Sequence, residues 1–373
     1  MATPVLSPAL LKAMAQSELA GLAFELRSPR PVALSPSYAK GLHAWFLHQI
    51  QDYDPALSRD LHDSQTEKSF TLSRLDGPLG GDEQSLHLLP DTPYYWRLTL
   101  LTRQTVQGCL PWLRRLPATL TLAGHSFSIE GVEPFLPPAT YRQLYERPGA
   151  GSVDLSFLSP TSFRRRGHHF PLPVPFNLFH SYLRRWNAFA GEAVAEAPFL
   201  DWVESSARID RHWLESAVVP GGKRGNVTGF VGSITLSLSP EGSQHSDFRR
   251  LFYALTRLAP YCGTGHKTPF GLGQTCLGWR EPAHSCFASA QSALLEQTLA
   301  QRIEVLTRQL LAGKKRTGGA RALKICRTQA VILARRERGE SLQAIAEDLE
   351  MGYETVKTYL KRARKNLPPH NEL

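Results

Sequence analysis

Strand-like and helical periodicities alternate twice along this chain, and that alternation limits its fold more than any other feature. In the first series, residues 18–28 carry Leu19, Gly21, Ala23, Phe24 and Leu26 in a pattern that suits a strand. Residues 37–51 follow with Leu42, Trp45, Phe46 and Ile50 at helical spacing, after a Ser35-Pro36 start signal. Strand-like runs at 69–75, 94–101, 118–122 and 125–132 then surround a helix expected at 105–113. A Pro/Gly/Ser-rich connection, Glu146-Arg147-Pro148-Gly149-Ala150-Gly151-Ser152, closes the series. The second series reads strand at 153–157, helix at 176–186, strand at 226–238 and helix at 247–258. Two halves of similar size, each mixing strands and helices, predict an α+β architecture.

The 373 residues exceed the usual size of one compact domain, so two or three are expected. The formal charge is +10 and the pI about 9.5, which favours a polyanionic partner. That charge is uneven: residues from Lys314 onward carry a net +7. Cys109, Cys262, Cys276, Cys286 and Cys326 are scattered without a CxxC pair, which argues against a disulfide framework and against a structural zinc site. No run of eighteen apolar residues occurs and the N-terminus lacks a secretory pattern. The expectation is a cytoplasmic protein with no membrane role.

Cys262-Gly263-Thr264-Gly265-His266-Lys267-Thr268-Pro269-Phe270-Gly271-Leu272-Gly273-Gln274 gathers glycines and cations before a short apolar segment. It is not a P-loop, since Lys267 does not follow a glycine, and not a dinucleotide fingerprint, since Thr268 stands where glycine is required. Its form, G-x-G-x-K-x-x-F-G-L-G, resembles the glycine-rich segment of the Cas6 family, CRISPR endoribonucleases that cut precursor guide RNA within each repeat. The resemblance extends over most of residues 18–282. Tyr38-Ala39-Lys40-Gly41-Leu42-His43-Ala44-Trp45, then Leu61-His62-Asp63, then Lys68-Ser69-Phe70-Thr71-Leu72-Ser73 are similar to the family's N-terminal half. Ser159-Pro160-Thr161-Ser162-Phe163-Arg164, Pro171-Leu172-Pro173 and Arg185-Trp186-Asn187 resemble its second half. The resemblance implies tandem ferredoxin-like (RAMP) domains at 1–148 and 149–282. It implies as ligands CRISPR repeat RNA and mature crRNA, and no cofactor.

RNA can be cut without a metal when its 2′-hydroxyl attacks the adjacent phosphorus, given a base, an acid and a cation. Histidine suits the first two roles because it titrates near neutrality. The resemblance makes His62 the first candidate, in a Leu-His pair expected to precede a strand, with Lys68 as its companion. The family's active-site tyrosine would fall near Ala44, leaving that role vacant, and His43 and His48 on the same expected helix could substitute. His43, His48 and His62 have poor spacing for a metal and no clear fourth ligand. Arg164, Arg165 and Arg166, followed by Gly167-His168-His169, are expected to clamp a hairpin stem through its backbone, because A-form RNA is recognised by shape and phosphates. Gly263, Gly265, His266, Lys267, Gly271 and Gly273 are expected to lie against the RNA.

Beyond Trp279 the character changes. Residues 289–311 read as a long helix, 313–319 as a basic glycine-rich hinge, and the remainder as charged helices, giving a linker at 283–316 and an all-α unit at 317–373. Leu342, Ile345, Ala346 and Leu349 share one face, and Val356 and Leu360 meet them from a second helix. This resembles the DNA-binding end of sigma factors and response regulators. Tyr353, Thr355, Lys357, Lys361 and Arg362 are its candidates for duplex DNA, with docking to a CRISPR effector or transposition assembly as the other use. Two rival functions remain open: a crRNA-binding subunit that does not cut, and a helix-turn-helix transcription regulator.

Overall fold

A computed structural model of the chain describes residues 6–63, 67–81, 85–149, 151–220, 225–280, 302–312, 320–337, 340–349 and 351–366. It comprises two compact units, Met1–Ala290 and Gln291–Leu373.

The first unit contains one topology written twice. After α1 (Pro8–Ala15), the chain forms β1 (Leu19–Arg27), β2 (Val32–Leu34), α2 (Ala39–Tyr53), α3 (Pro55–Asp63) and β3 (Phe70–Leu72). β4 (Leu79–Gly81), β5 (Leu86–Leu88), β6 (Tyr94–Leu100), α4 (Arg103–Leu113), β7 (Thr119–Leu122) and β8 (His125–Ala139) complete the half. Its main sheet has the order β3-β6-β1-β8-β7, and β2-β5-β4 form a separate small sheet. The second half runs through α5 (Tyr141–Glu146), β9 (Val153–Thr161), β10 (Phe163–Arg165), β11 (His168–Phe170), α6 (Pro175–Phe189) and α7 (Glu196–Ser206). β12 (Ala207–Pro220), β13 (Asn226–Leu238), α8 (Ser246–Cys262) and β14 (Thr275–Leu277) follow, with sheet order β12-β13-β9-β14. Reduced to β1-α2-β3-β6-α4-β8 and β9-α6-β12-β13-α8-β14, each half places its strands second, third, first, fourth. That is the ferredoxin-like βαββαβ arrangement in tandem.

Each half has its own core. Phe24, Phe46, Trp96 and Trp112 are fully buried between the first sheet and its helices, with Phe24 and Trp96 ring centroids 4.9 Å apart. In the second half Phe179 of α6 stacks on Phe252 of α8 at 4.6 Å. The opposite face of β6 would be polar in an isolated half, yet Arg97 and Thr99 are buried there too. The second half covers them: Thr99 Oγ1 donates to the Tyr261 carbonyl at 2.5 Å and shares a 2.6 Å bond with Thr71 Oγ1. Thr99 thus joins the halves through satisfied hydroxyl and carbonyl groups, which avoids the cost of burying them unpaired, whereas Arg97 pairs with Asp76 of its own half and its buried Nε has no hydrogen-bond partner among the described residues.

In the second unit, residues 302–312 form α9, followed by α10 (Ala320–Glu337), α11 (Leu342–Asp348) and α12 (Tyr353–Asn366). Ser341 caps α11 by accepting from the Ala344 amide at 3.1 Å. Ile345, Ala346, Val356 and Leu360 form the core foreseen from their spacing, and Leu306, Leu310, Cys326 and Ala330 extend it. Arg302 forks onto Glu337 at 2.8 and 2.9 Å, tying α9 to α10. The hinge expected at 313–319, and Cys286, lie outside the described residues.

Candidate functional site

α2, α3 and the segment before β3 bring the N-terminal candidates to one region. α2 exposes one side and buries Leu42, Phe46, Leu47 and Ile50, so His43 and His48, five residues apart, leave the helix in different directions. His43 is half-buried. Its ring stacks on Phe270 of the glycine-rich loop with centroids 4.4 Å apart and lies 5.7 Å from Phe70. Burial lowers its pKa to about 4, and the neighbouring charges of Lys68 and His62 push the same way. A neutral imidazole is therefore held beside two potential cations.

His62 lies in the last turn of α3, and the next element along the chain is β3, so the Leu-His pair precedes a strand as expected. Its side chain is 71 % exposed, and Nδ1 meets Asp63 Oδ1 at 2.8 Å. The Lys68 ammonium donates to the carbonyls of Leu61 at 2.9 Å and His62 at 2.7 Å. An ammonium has three donors, so this anchoring leaves one for an anion. Desolvation lowers the Lys68 pKa, opposed by Asp63. His48 is exposed and lines a cavity of about 340 Å³ between α2 and α3 with Ala44, Gln51, Arg59 and His62.

The glycine-rich loop is built against the protein's own backbone. Thr264 N–H donates to Gly273 O at 2.7 Å, Gly273 N–H to Pro160 O at 3.1 Å, and His266 N–H to Ser162 O at 3.2 Å. Side-chain atoms added at Gly263, Gly265, Gly271 or Gly273 would meet this scaffold, including backbone of Ser162, Arg74 and Thr264. The glycines thus first serve close packing within the protein, and the loop presents Phe270, half-buried His266 and half-buried Lys267 toward its surroundings.

Arg164, Arg165 and Arg166 do not lie in a plain loop. They form the β10–β11 hairpin, in which Arg164 pairs with His169 and Arg165 with His168, around a turn of Arg166 and Gly167 that both have positive φ. His169 Nδ1 and His266 Nε2 are 3.3 Å apart. Burial lowers His266 to about 4, reinforced by His169, Arg164, Lys267 and Arg185. Sequence reasoning missed Glu67, Arg184 and His180, which line a neighbouring cavity of about 190 Å³ with Arg164 and His266. The consecutive arginines of α6 were a visible signal, but only the tertiary fold brings Glu67 to them.

On α12, Tyr353, Thr355, Lys357, Lys361 and Arg362 are all exposed. Lys357 approaches Glu354 at 3.3 Å. Among the described residues no group of three His, Cys, Asp or Glu side chains is arranged to hold a metal ion, and no helix is long and apolar enough to cross a membrane.

Comparison with known proteins supplies the family. Residues 155–275 match the CRISPR-associated endoribonuclease Cas6 model, residues 22–116 the CRISPR Cas6 N-terminal domain, and residues 327–367 sigma-70 region 4. A Mycobacterium tuberculosis CRISPR-associated endoribonuclease Cas6 is 22 % identical over 224 residues, 54 % of this chain and 68 % of that protein. A Cas6 product complex superposes with a TM-score of 0.59 at 27 % identity, covering 70 % of this chain and 100 % of that one. Thermus thermophilus Cas6 gives 0.53 at 27 % identity, covering 70 % and 99 %. With both halves matched and the tandem ferredoxin-like fold in place, the chain belongs to the Cas6 family of CRISPR-associated endoribonucleases and carries a C-terminal helix-turn-helix element of the sigma-70 region 4 kind.

Proposed function

We propose that this protein cuts CRISPR repeat RNA by attack of a 2′-hydroxyl on the adjacent phosphate, without a metal, leaving a 2′,3′-cyclic phosphate and a 5′-hydroxyl. The observation that carries the reading is the convergence of His43, His62 and Lys68 where the glycine-rich loop stacks Phe270 on His43. His43, neutral at pH 7, takes the 2′-hydroxyl proton. His62, oriented through Nδ1 by Asp63, protonates the leaving 5′-oxygen, and the remaining donor of Lys68 meets the phosphorane charge. The hairpin arginines and the loop's His266 and Lys267 hold the RNA backbone.

The test is single-turnover cleavage of the cognate repeat RNA in chelator. His43→Ala and His62→Ala should each slow cleavage by about a hundredfold or more with little loss of affinity. A deoxyribose immediately upstream of the cut should permit binding and abolish reaction. Cleavage of that substrate would refute the mechanism, and binding without any cleavage of all-ribose RNA would make the protein a non-cutting crRNA holder.

For the C-terminal unit we propose duplex nucleic-acid binding through α12, supported by the exposure of Thr355, Lys357, Lys361 and Arg362 along one helix of a helix-turn-helix.

A further inference from the structure

Two adjacent residues, Glu67 and Lys68, serve different places. Lys68 is tethered to the end of α3, whereas Glu67 turns into the cavity beside α6 and the glycine-rich loop. There its carboxylate receives Arg184 Nη2 at 2.6 Å and Arg185 Nε at 3.3 Å. The two arginines are not equivalent. Arg185 is 7 % exposed and its other donors are occupied by Ser181 O at 3.0 Å, Ser181 Oγ at 2.7 Å and Gly265 O at 2.7 Å. It is part of the scaffold that holds the loop. Arg184 is 53 % exposed, and among described residues its contact is Glu67. Arg164 is exposed on β10 and its side chain makes no hydrogen bond to a described residue, while His180 and Asn177 complete the wall.

The cavity therefore holds three guanidinium groups against one carboxylate. Burial is the chief cause of the low pKa of His266 beside it, and the charges of His169, Arg164, Lys267 and Arg185 push the same way. A half-buried carboxylate that neutralises an arginine cluster does the electrostatic work an anionic ligand would do. An exposed arginine bound to it can exchange partners at small cost.

We propose that this cavity is a phosphodiester-binding subsite for the RNA strand, in which Arg184 and Arg164 take the phosphate and Glu67 is the internal anion that the phosphate displaces from Arg184. The proposal rests on the repeat-RNA reading above and adds Arg184 and Glu67 to Arg164, as a unit whose carboxylate is next in sequence to Lys68. Strand binding in the second half thereby bears on the segment that carries the proposed catalytic ammonium.

The test uses the full chain and repeat RNA with the deoxyribose block, so that binding is measured without reaction. Affinity is titrated by fluorescence anisotropy at several salt concentrations. Arg184→Ala should weaken binding about tenfold and reduce the slope of log K against log salt by about one, as expected for a lost phosphate contact. Glu67→Gln should tighten binding, by roughly threefold or more, because it removes the competing anion while keeping a side chain of the same shape. An ion pair that serves the fold alone predicts no tightening in Glu67→Gln, with RNA binding unchanged or weaker and the thermal midpoint lowered. Arg184→Ala binding within twofold of the parent, or Glu67→Gln binding no tighter than the parent, would overturn the subsite. Failure of the parent to cleave all-ribose repeat RNA would instead strike the reaction proposed above and leave these binding results to be judged separately.

Discussion

Replacing Gly273 by alanine tests whether the glycine-rich loop is a load placed on the fold or a surface shaped only for RNA. Gly273 has φ +67°, and an added Cβ would stand 1.9 Å from the Thr264 carbonyl oxygen. Left-handed backbone costs an L-residue roughly 1–2 kcal/mol by itself. Relieving the clash requires a shift of an ångström or more. That shift breaks the bond from Thr264 N–H to Gly273 O, at 2.7 Å, or the one from Gly273 N–H to Pro160 O, at 3.1 Å. Each lost bond at a buried site adds about 1–3 kcal/mol. The sum, about 2–5 kcal/mol, is a large part of a typical stability of roughly 5–15 kcal/mol. The thermal midpoint should fall by about 4–20 °C, taking roughly 2–4 °C per kcal/mol for a chain unit of this size. Gly278→Ala is the matched control: its φ is +93°, but a Cβ there meets nothing within 4 Å. It should cost only the backbone strain, a shift of a few degrees. Thermal unfolding followed by circular dichroism, with RNA affinity measured at a temperature where both variants are folded, separates the two effects. Equal shifts for the two variants would refute the packing argument. Loss of RNA affinity in Gly273→Ala with an unchanged midpoint would return the glycine to a direct role in RNA contact.

Two further outcomes follow from the same geometry. His43 and His266 both have folded pKa values lowered to about 4 from an ordinary value near 6.5, so the unfolded chain binds protons that the folded chain refuses. Stability should be fully present above pH 6.5 and decline as the pH falls toward 4; His266→Gln should flatten that decline, and an unchanged profile would contradict the burial of this imidazole. Because Leu306 and Leu310 belong to the core of the C-terminal helices, truncation is best made after residue 290, at the division between the compact units. The shortened protein should cleave repeat RNA at the parental rate, whereas loss of cleavage with residues 1–290 still folded would bring the helical unit into the RNA site. The separate fragment 291–373 should bind duplex DNA with a steep salt dependence, and absence of binding at low salt would favour protein docking.

The elements that periodicity reveals are those with one dry face. α2, α4 and α6 each bury one stripe, α8 is apolar enough to be buried on all sides over its C-terminal part, and β13 alternates strongly, so all were visible in the sequence, β13 with its observed bounds. β12 was not, because most of its side chains are exposed or half-buried and carry no hydrophobic period; its conformation is set by pairing along nearly its whole length with β13. The β10–β11 hairpin was likewise hidden in an Arg-rich run that composition alone reads as solvated.

The sequence by itself determined the two-fold strand and helix series, the family motif from Gly263 to Gly273, and the helix-turn-helix core, because each depends on local spacing. Only the tertiary structure decided what the motif touches. Phe270 reaches His43 from 227 positions away in the chain, and Glu67 reaches Arg184 from the opposite half. The burial that keeps His43 and His266 neutral exists only where the folded halves exclude water from both rings. No local spacing encodes those encounters, since they are fixed by how two separately patterned sheets and their helices close on one another.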